Sequence, residues 1–287
     1  MASYCEIVLA GVADETEATR LSALAEAEVR RIEYKYSRYR HESLLSQINA
    51  HRGPVACDEE TLALLDRAAL LHAHSGGLFD ITSGVLRQAW DFKAARVPDD
   101  ATLAALLPLI DMAGVQREGD KVWLRSPGME LDFGGFGKEY AADCAAQVLS
   151  SAGVRHGYVN LAGDMRVLGP RADGTPWSIG IRHPRDKERL LASIPVSAGA
   201  LATSGDYERC FEQDGQRYCH ILNPRTGHPA HTWQSVSVLA PSALVAGAFT
   251  TIAMLLEEDA LPFLRSAGLS FLAVDHSGTL YQESPHA

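Results

Sequence analysis

LDFGGFGKEYAAD, residues 131–143, passes from strand-like to helix-like text through a run of glycine. An apolar stretch ends in Asp132, glycines follow at 134, 135 and 137, and Lys138 opens a helical pattern. Glycine lacks a Cβ and lets a backbone come close to a neighbour. N–H groups at a helix start, with a lysine beside them, form an anion site. The acid at the strand end adds a hydrogen-bond acceptor or a partner for a metal. The same text also fits a tight strand–helix connection with a solvated lysine. It is neither a Walker loop nor a Rossmann fingerprint, because both glycine spacings are absent.

Working outward toward the N-terminus, YCEIVLA alternates like a strand, and residues 15–36 repeat apolar side chains near a 3.6 period. Leu21, Leu24, Ala25, Val29, Ile32 and Tyr36 make that stripe. SRYRHESLLSQIN (37–49) reads as a loop with Ser43 capping a short helical turn. A helix starts after Asp58 and stops at Gly76–Gly77, and LFDITSG follows it. Another helix begins at Asp99 or Asp100. KVWLRSPGMELDF reads as a hairpin turning at Ser126–Pro127–Gly128.

Beyond residue 153 the chain is rich in short strands: GYVNLAGDMRVLG, WSIGIRHP, SIPVSAGALATSG, YERCF, QRYCHIL and SVSVLA. Residues 235–256 carry no charge and are long enough to span a membrane. Pro241 and the many small and hydroxyl residues favour a buried strand ending near Ala240, then a buried helix capped by Ser242. Helices and antiparallel-looking strands are mixed without βαβ alternation. The expected class is α+β, with mixed, mostly antiparallel sheets packed with helices. The 287 residues are expected to form one domain or two closely packed subdomains.

Hydrophobic residues make up 46% and charged residues 22%, an ordinary soluble balance. The formal charge of −10 opposes binding to nucleic-acid phosphates or anionic lipid. Cysteines at 5, 57, 144, 210 and 219 are odd in number and lack a C-x-x-C, pointing to a reducing compartment. No basic-then-apolar leader opens the chain, so a cytoplasmic location is expected.

A second cluster lies at TSGDYERCF (203–211) and RYCHILNPRTGHP (217–229). His220 ends an apolar alternating run, before a rigid Asn-Pro-Arg-Thr-Gly turn. A histidine there can be a general base, or a structural partner of a backbone carbonyl. Taken together, these segments resemble the FAD:protein FMN transferase (ApbE-like flavin transferase) family. SRYRHESLLSQIN, FDITSGVL, LDFGGFGKEYAAD, VNLAGDMRVLG, TSGDYER and HILNPRTG match its motifs in the family's order, and even MAS at the start sits where Met-Gly-Thr is common.

The resemblance implies an ApbE-like, T-fold-like architecture. It also implies an enzyme that cleaves FAD with a divalent metal, usually magnesium. FMN passes to a Thr or Ser hydroxyl of an acceptor flavoprotein and AMP leaves. It places Tyr39, Phe79, Asp80, Thr82, Asp132 and Lys138 around FAD, the Gly135 carbonyl and Thr251 on the metal, and His220 as the group that helps deprotonate the acceptor. One departure stands out. The family's A-D-A-x-x-T reads AGAFTT here, so its metal-ligand Asp is Gly247. Glu139 for Gly, Ala162 for Gly and Asn223 for Asp are further departures. Losing that carboxylate is expected to weaken a magnesium site unless another acid, such as Asp132 or Asp164, fills in. The alternative readings are an FAD-binding protein that has lost transfer, or an FAD pyrophosphatase.

Overall fold

Residues 4–50 and 53–284 are described in a computed structural model; the N-terminal MAS lies outside the described residues. Strand β1 (Cys5–Ala10) leads into helix α1 (Glu15–Tyr36), whose N-cap Asp14 accepts from the Glu17 N–H at 2.9 Å. Leu21, Ala25, Ile32 and Tyr36 of the expected stripe are buried, while Leu24 is not. A short helix α2 (Leu44–Asn49) is capped by Ser43, strand β2 is Val55–Ala56, and α3 (Glu59–His74) is capped by Asp58. Asp99 caps α4 (Asp100–Leu106).

The expected hairpin over 121–133 is replaced by a different one. Strand β3 (Val115–Glu118) pairs with β4 (Lys121–Leu124), turning at Gly119–Asp120, and β2 joins β4 on its other side. Residues 126–133 instead run alongside the 79–84 segment, through a parallel Ser83–Glu130 bridge and an Asp132 N–H bond to the Ile81 carbonyl at 2.8 Å. The Ser-Pro-Gly signal marks a turn but cannot say which neighbour the following chain meets.

Helix α5 (Gly137–Ser151) precedes strands β5 (His156–Leu161), β6 (Asp164–Gly169), β7 (Trp177–His183), β8 (Asp186–Val196) and β9 (Gly199–Gly205). The hairpin β10 (Cys210–Gln213) and β11 (Gln216–Cys219) follows, then β12 (Trp233–Ala240), α6 (Ala243–Leu256), α7 (Ala260–Ser266), β13 (Ser270–Asp275) and β14 (Leu280–Glu283). Seven strands in the order β1-β5-β6-β9-β12-β13-β14 form one open antiparallel sheet with β1 and β14 at its edges.

Alternation assigns the two faces of that sheet. Val159, Leu161, Ala200, Ala202, Val236 and Val238 join the cores beneath α5 and α6. Met165, Val167, Leu201, Leu272 and Val274 form a third core with Ile179, Ile181 and Val196 of the β7–β8 hairpin. Helix α1 packs outside α5. The uncharged 235–256 stretch is β12 followed by α6, interior to the protein, and among the described residues no helix is long and apolar enough to cross a membrane.

Candidate active site

The 131–138 turn is held from several sides. Asn49 pairs with the Leu131 backbone in both directions, at 2.7 and 2.9 Å. Asp132 accepts the Gly134 N–H at 2.9 Å through one oxygen and the Arg38 guanidinium through the other. A Cβ on Gly135 would stand 3.3 Å from the Phe79 ring, and one on Gly137 3.2 Å from Phe133. Phe136, fully buried, packs against Phe79 and Phe133 with centroids 5.9 and 5.0 Å apart. The glycines therefore let the loop settle on an aromatic floor. No side chain caps the start of α5; the Gly137 N–H turns back to the Phe133 carbonyl at 2.6 Å.

Lys138 turns toward β6 and forms an ion pair with Asp164, which is buried. Burial alone would lower the Lys138 pKa, but Asp164 and Glu139 outweigh it and raise it. Asp164 also accepts the Thr203 N–H at 3.3 Å. Glu139 is 6% exposed and faces Asp164; burial, then Asp164, hold its carboxyl well above the usual range. Across from it, on α6, stands Gly247. A Cβ built there would lie 2.5 Å from Glu139 Cγ and 2.9 Å from its Oε1. One turn further on, Thr250 and Thr251 meet Ser204 of β9 at 2.8 and 3.4 Å, hydroxyl to hydroxyl.

His220 follows β11, its N–H bonded to the Arg209 carbonyl at 3.0 Å. The residue keeps an exposed edge. Surrounding protein nonetheless desolvates the ring, and with repulsion from Arg209 and Lys138 pushes its pKa down to about 4. A neutral imidazole at physiological pH is the form that accepts a proton. The following turn is locked by Gly227 at φ +74, where a Cβ would approach Leu103 to 3.0 Å, and by the Trp90 indole N–H on the Gly227 carbonyl at 2.7 Å. Arg225 of this turn donates to the Gly76 carbonyl. Asp206 of TSGDYER is held by two 2.6 Å bonds from Arg185.

The remaining expected ligand contacts divide by exposure. Tyr39 is 74% exposed, its hydroxyl accepting from Arg38 at 2.9 Å; that bond lowers its pKa. Phe79 and Thr82 are buried. Asp80 accepts from the Thr82 N–H and hydroxyl at 2.7 and 2.6 Å, and the Thr82 hydroxyl accepts the Asp111 N–H at 2.8 Å. These bonds commit Asp80 Oδ1 and the Thr82 hydroxyl to shaping the 79–84 loop that flanks Asp132.

Residues that the motif reading passed over complete the picture. Arg38 joins Tyr39 to Asp132, and Arg209 sits beside His220. Asp143 accepts the Ala243 and Leu244 N–H groups, each at 2.9 Å, tying α5 to the start of α6. A lone arginine in a loop, or an aspartate on a helix such as Asp143 in α5, carries no local signal of such a partner. Glu28, Glu60 and Cys144 also lie close enough together to surround an ion. However, Arg31 binds both glutamates at 2.6–2.7 Å, Lys35 binds Glu60, and burial raises the Cys144 thiol to about 11. That group is a salt-bridge network beside a protonated thiol.

The glycine turn, Lys138 and Asp164 lie where α5 and α6 cover one face of an open antiparallel sheet, an α+β architecture with its polar groups at the helix pair. The chain belongs to the ApbE family, whose model matches residues 1–272. It is 34% identical to the FAD:protein FMN transferase of Vibrio cholerae over 259 residues, covering 87% of this chain and 76% of the relative. It is 36% identical to that of Treponema pallidum over 238 residues, 76% of this chain and 66% of the relative. Among solved structures, the ApbE protein of Thermotoga maritima superimposes with a TM-score of 0.88 at 30% identity, covering 98% of this chain and 96% of the other. The flavin transferase ApbE of Vibrio cholerae gives 0.87 at 29% identity, over 99% and 95%.

Proposed function

We propose that the protein is an FAD:protein FMN transferase that binds FAD and attaches FMN through a phosphoester to a Thr or Ser hydroxyl of an acceptor flavoprotein. The observation that carries this reading is convergence. Four separate motifs meet through direct contacts: Lys138 pairs with Asp164, Asp164 accepts the Thr203 N–H, and Ser204 reaches the Thr251 hydroxyl. Relatives over 30% identical that bear this activity support it.

In this reading the glycine turn before α5 receives the FAD diphosphate, with Lys138 adding positive charge. Arg38 and Asp132 fix the loop, and exposed Tyr39 offers a face to the flavin or adenosine. Phe79, Asp80 and Thr82 shape the pocket from behind. Neutral His220 takes the proton of the acceptor hydroxyl. That oxygen bonds to the flavin-side phosphorus, the bond to the bridging oxygen breaks, and AMP leaves.

A divalent cation, magnesium by preference, fits this place. The Gly135 carbonyl and the Thr251 hydroxyl are hard oxygen donors, and two buried acids, Asp164 paired with Lys138 and Glu139 next to that lysine in sequence, offer further oxygens. When bound, the ion would neutralise charge on the phosphoryl oxygens. The chain reads as one domain, since α6 supplies Leu244, Ala248 and Ile252 to one core and Ala246, Ala253 and Met254 to the other. The thiols of Cys57, Cys144, Cys210 and Cys219 accord with a cytoplasmic location.

The test is incubation with FAD, magnesium and an acceptor domain, followed by in-gel flavin fluorescence after denaturation. A covalently fluorescent acceptor is expected. AMP and free FMN without a labelled acceptor would identify a pyrophosphatase, and a tight yellow complex without turnover an FAD-binding protein.

A further inference from the structure

Gly247 removes a side chain where the family motif carries a carboxylate, and the space it vacates is filled. Glu139 reaches across from α5, so that a Cβ at position 247 would stand 2.5 Å from its Cγ and 2.9 Å from its Oε1. The other oxygen, Oε2, is buried and has no hydrogen-bond partner among the described residues. A buried carboxylate oxygen left unpaired is costly and calls for an explanation. Its neighbourhood is short of positive charge, for Glu139 and Asp164 face each other with Lys138 held by Asp164. Glu139 follows Gly135 by four residues across the start of α5, and Gly247 lies one helical turn before Thr251 in α6. The carboxylate thus packs against α6 one turn from Thr251, on the helix that begins just after Gly135.

We propose that Glu139, from α5, supplies the carboxylate ligand of the divalent-cation site in place of a side chain at position 247 on α6. The acid has changed helices, and the glycine opposite it is the room this exchange requires. The metal site is then rebuilt rather than weakened. The inference rests on the flavin-transferase reading for the identity of the site, but it concerns a binding event that can be measured without catalysis. It also means that Gly247→Asp alone does not improve the site, because the new side chain meets Glu139.

The full-length protein is titrated with Mn²⁺, with free ion followed by its paramagnetic resonance signal, FAD binding by flavin fluorescence quenching and folding by thermal melting. Glu139→Gln is expected to weaken Mn²⁺ binding about tenfold or more while leaving metal-free FAD binding in place. Gly247→Asp is expected to melt lower and gain no affinity. The double exchange Glu139→Gly with Gly247→Asp is expected to bind Mn²⁺ within about threefold of the parent, since a carboxylate again fills the gap. Should Glu139→Gln not fold, the double exchange decides, and its failure to bind overturns the proposal. Parent-like Mn²⁺ affinity in a folded Glu139→Gln protein, or no Mn²⁺ binding by the parent, also overturns it. Loss of FAD binding with the metal results unchanged would instead sink the flavin reading alone.

Discussion

His220 illustrates how far one residue's chemistry depends on its surroundings. Depressed to about 4 by desolvation from the surrounding protein and by Arg209 and Lys138, it stays neutral below the ordinary histidine range. As the neutral form is the base, the acid limb of the transfer rate against pH is expected nearer 4–5 than 6.5, and Arg209→Ala should move it upward. His220→Ala is expected to slow transfer about 10²- to 10⁴-fold while sparing FAD binding, read by single-turnover labelling and by fluorescence quenching. Ala162 makes a different point at the same scale. It replaces a family glycine in the β5–β6 turn, adopts φ +57 and is exposed. A left-handed alanine costs about 1–2 kcal/mol, partly offset by glycine's larger loss of freedom on folding. Ala162→Gly is therefore expected to stabilise the fold by about 0.5–1 kcal/mol in urea denaturation.

Element by element, the helices were legible because their boundaries are written in local chemistry. Asp14, Ser43, Asp58, Asp99 and Ser242 each accept a backbone N–H from the first turn that follows. The start of α6 has a second support that no local pattern shows, the Asp143 carboxylate on two N–H groups. An acid at a helix start satisfies orphan donors and opposes the helix dipole's positive end. Asp143→Ala is expected to cost about 1–2 kcal/mol, measured by urea denaturation, and to loosen the α5–α6 contact on which the Glu139–Gly247 arrangement depends. The misread hairpin at 121–133 belongs here too. Its turn residues were real, but the choice between strand partners rests on contacts with the distant 79–84 loop.

At the scale of the whole molecule, Glu60 works as a staple among three helices. From α3 it takes hydrogen bonds from Arg31 and Lys35 of α1 and from Tyr140 of α5. The Arg31 bond foremost, then Lys35 and Tyr140, holds its carboxyl down at about 2 against opposing burial. A depressed carboxyl contributes stability that is present above its unfolded pKa and lost as pH falls through the folded one. Glu60→Gln is accordingly expected to melt lower than the parent at pH 7, with the difference shrinking between about pH 4.5 and 2. The open sheet is covered by α5 and α6 on one side and by the β7–β8 hairpin on the other, so the glycine turn at the start of α5 lies at the margin of the buried helix pair.

The amino-acid sequence determined most of the helices and strands and the motifs that mark the family, but not the partner of residues 126–133. Periodicity, caps and turn residues act over a few positions and need no distant partner. It also exposed the missing acid at 247 and the unusual glutamate at 139, as two separate departures. Only the tertiary structure joined them. Whether a carboxylate on one helix can fill a gap on another depends on how closely the two helices approach, and that distance is set by the packing of the entire core between them.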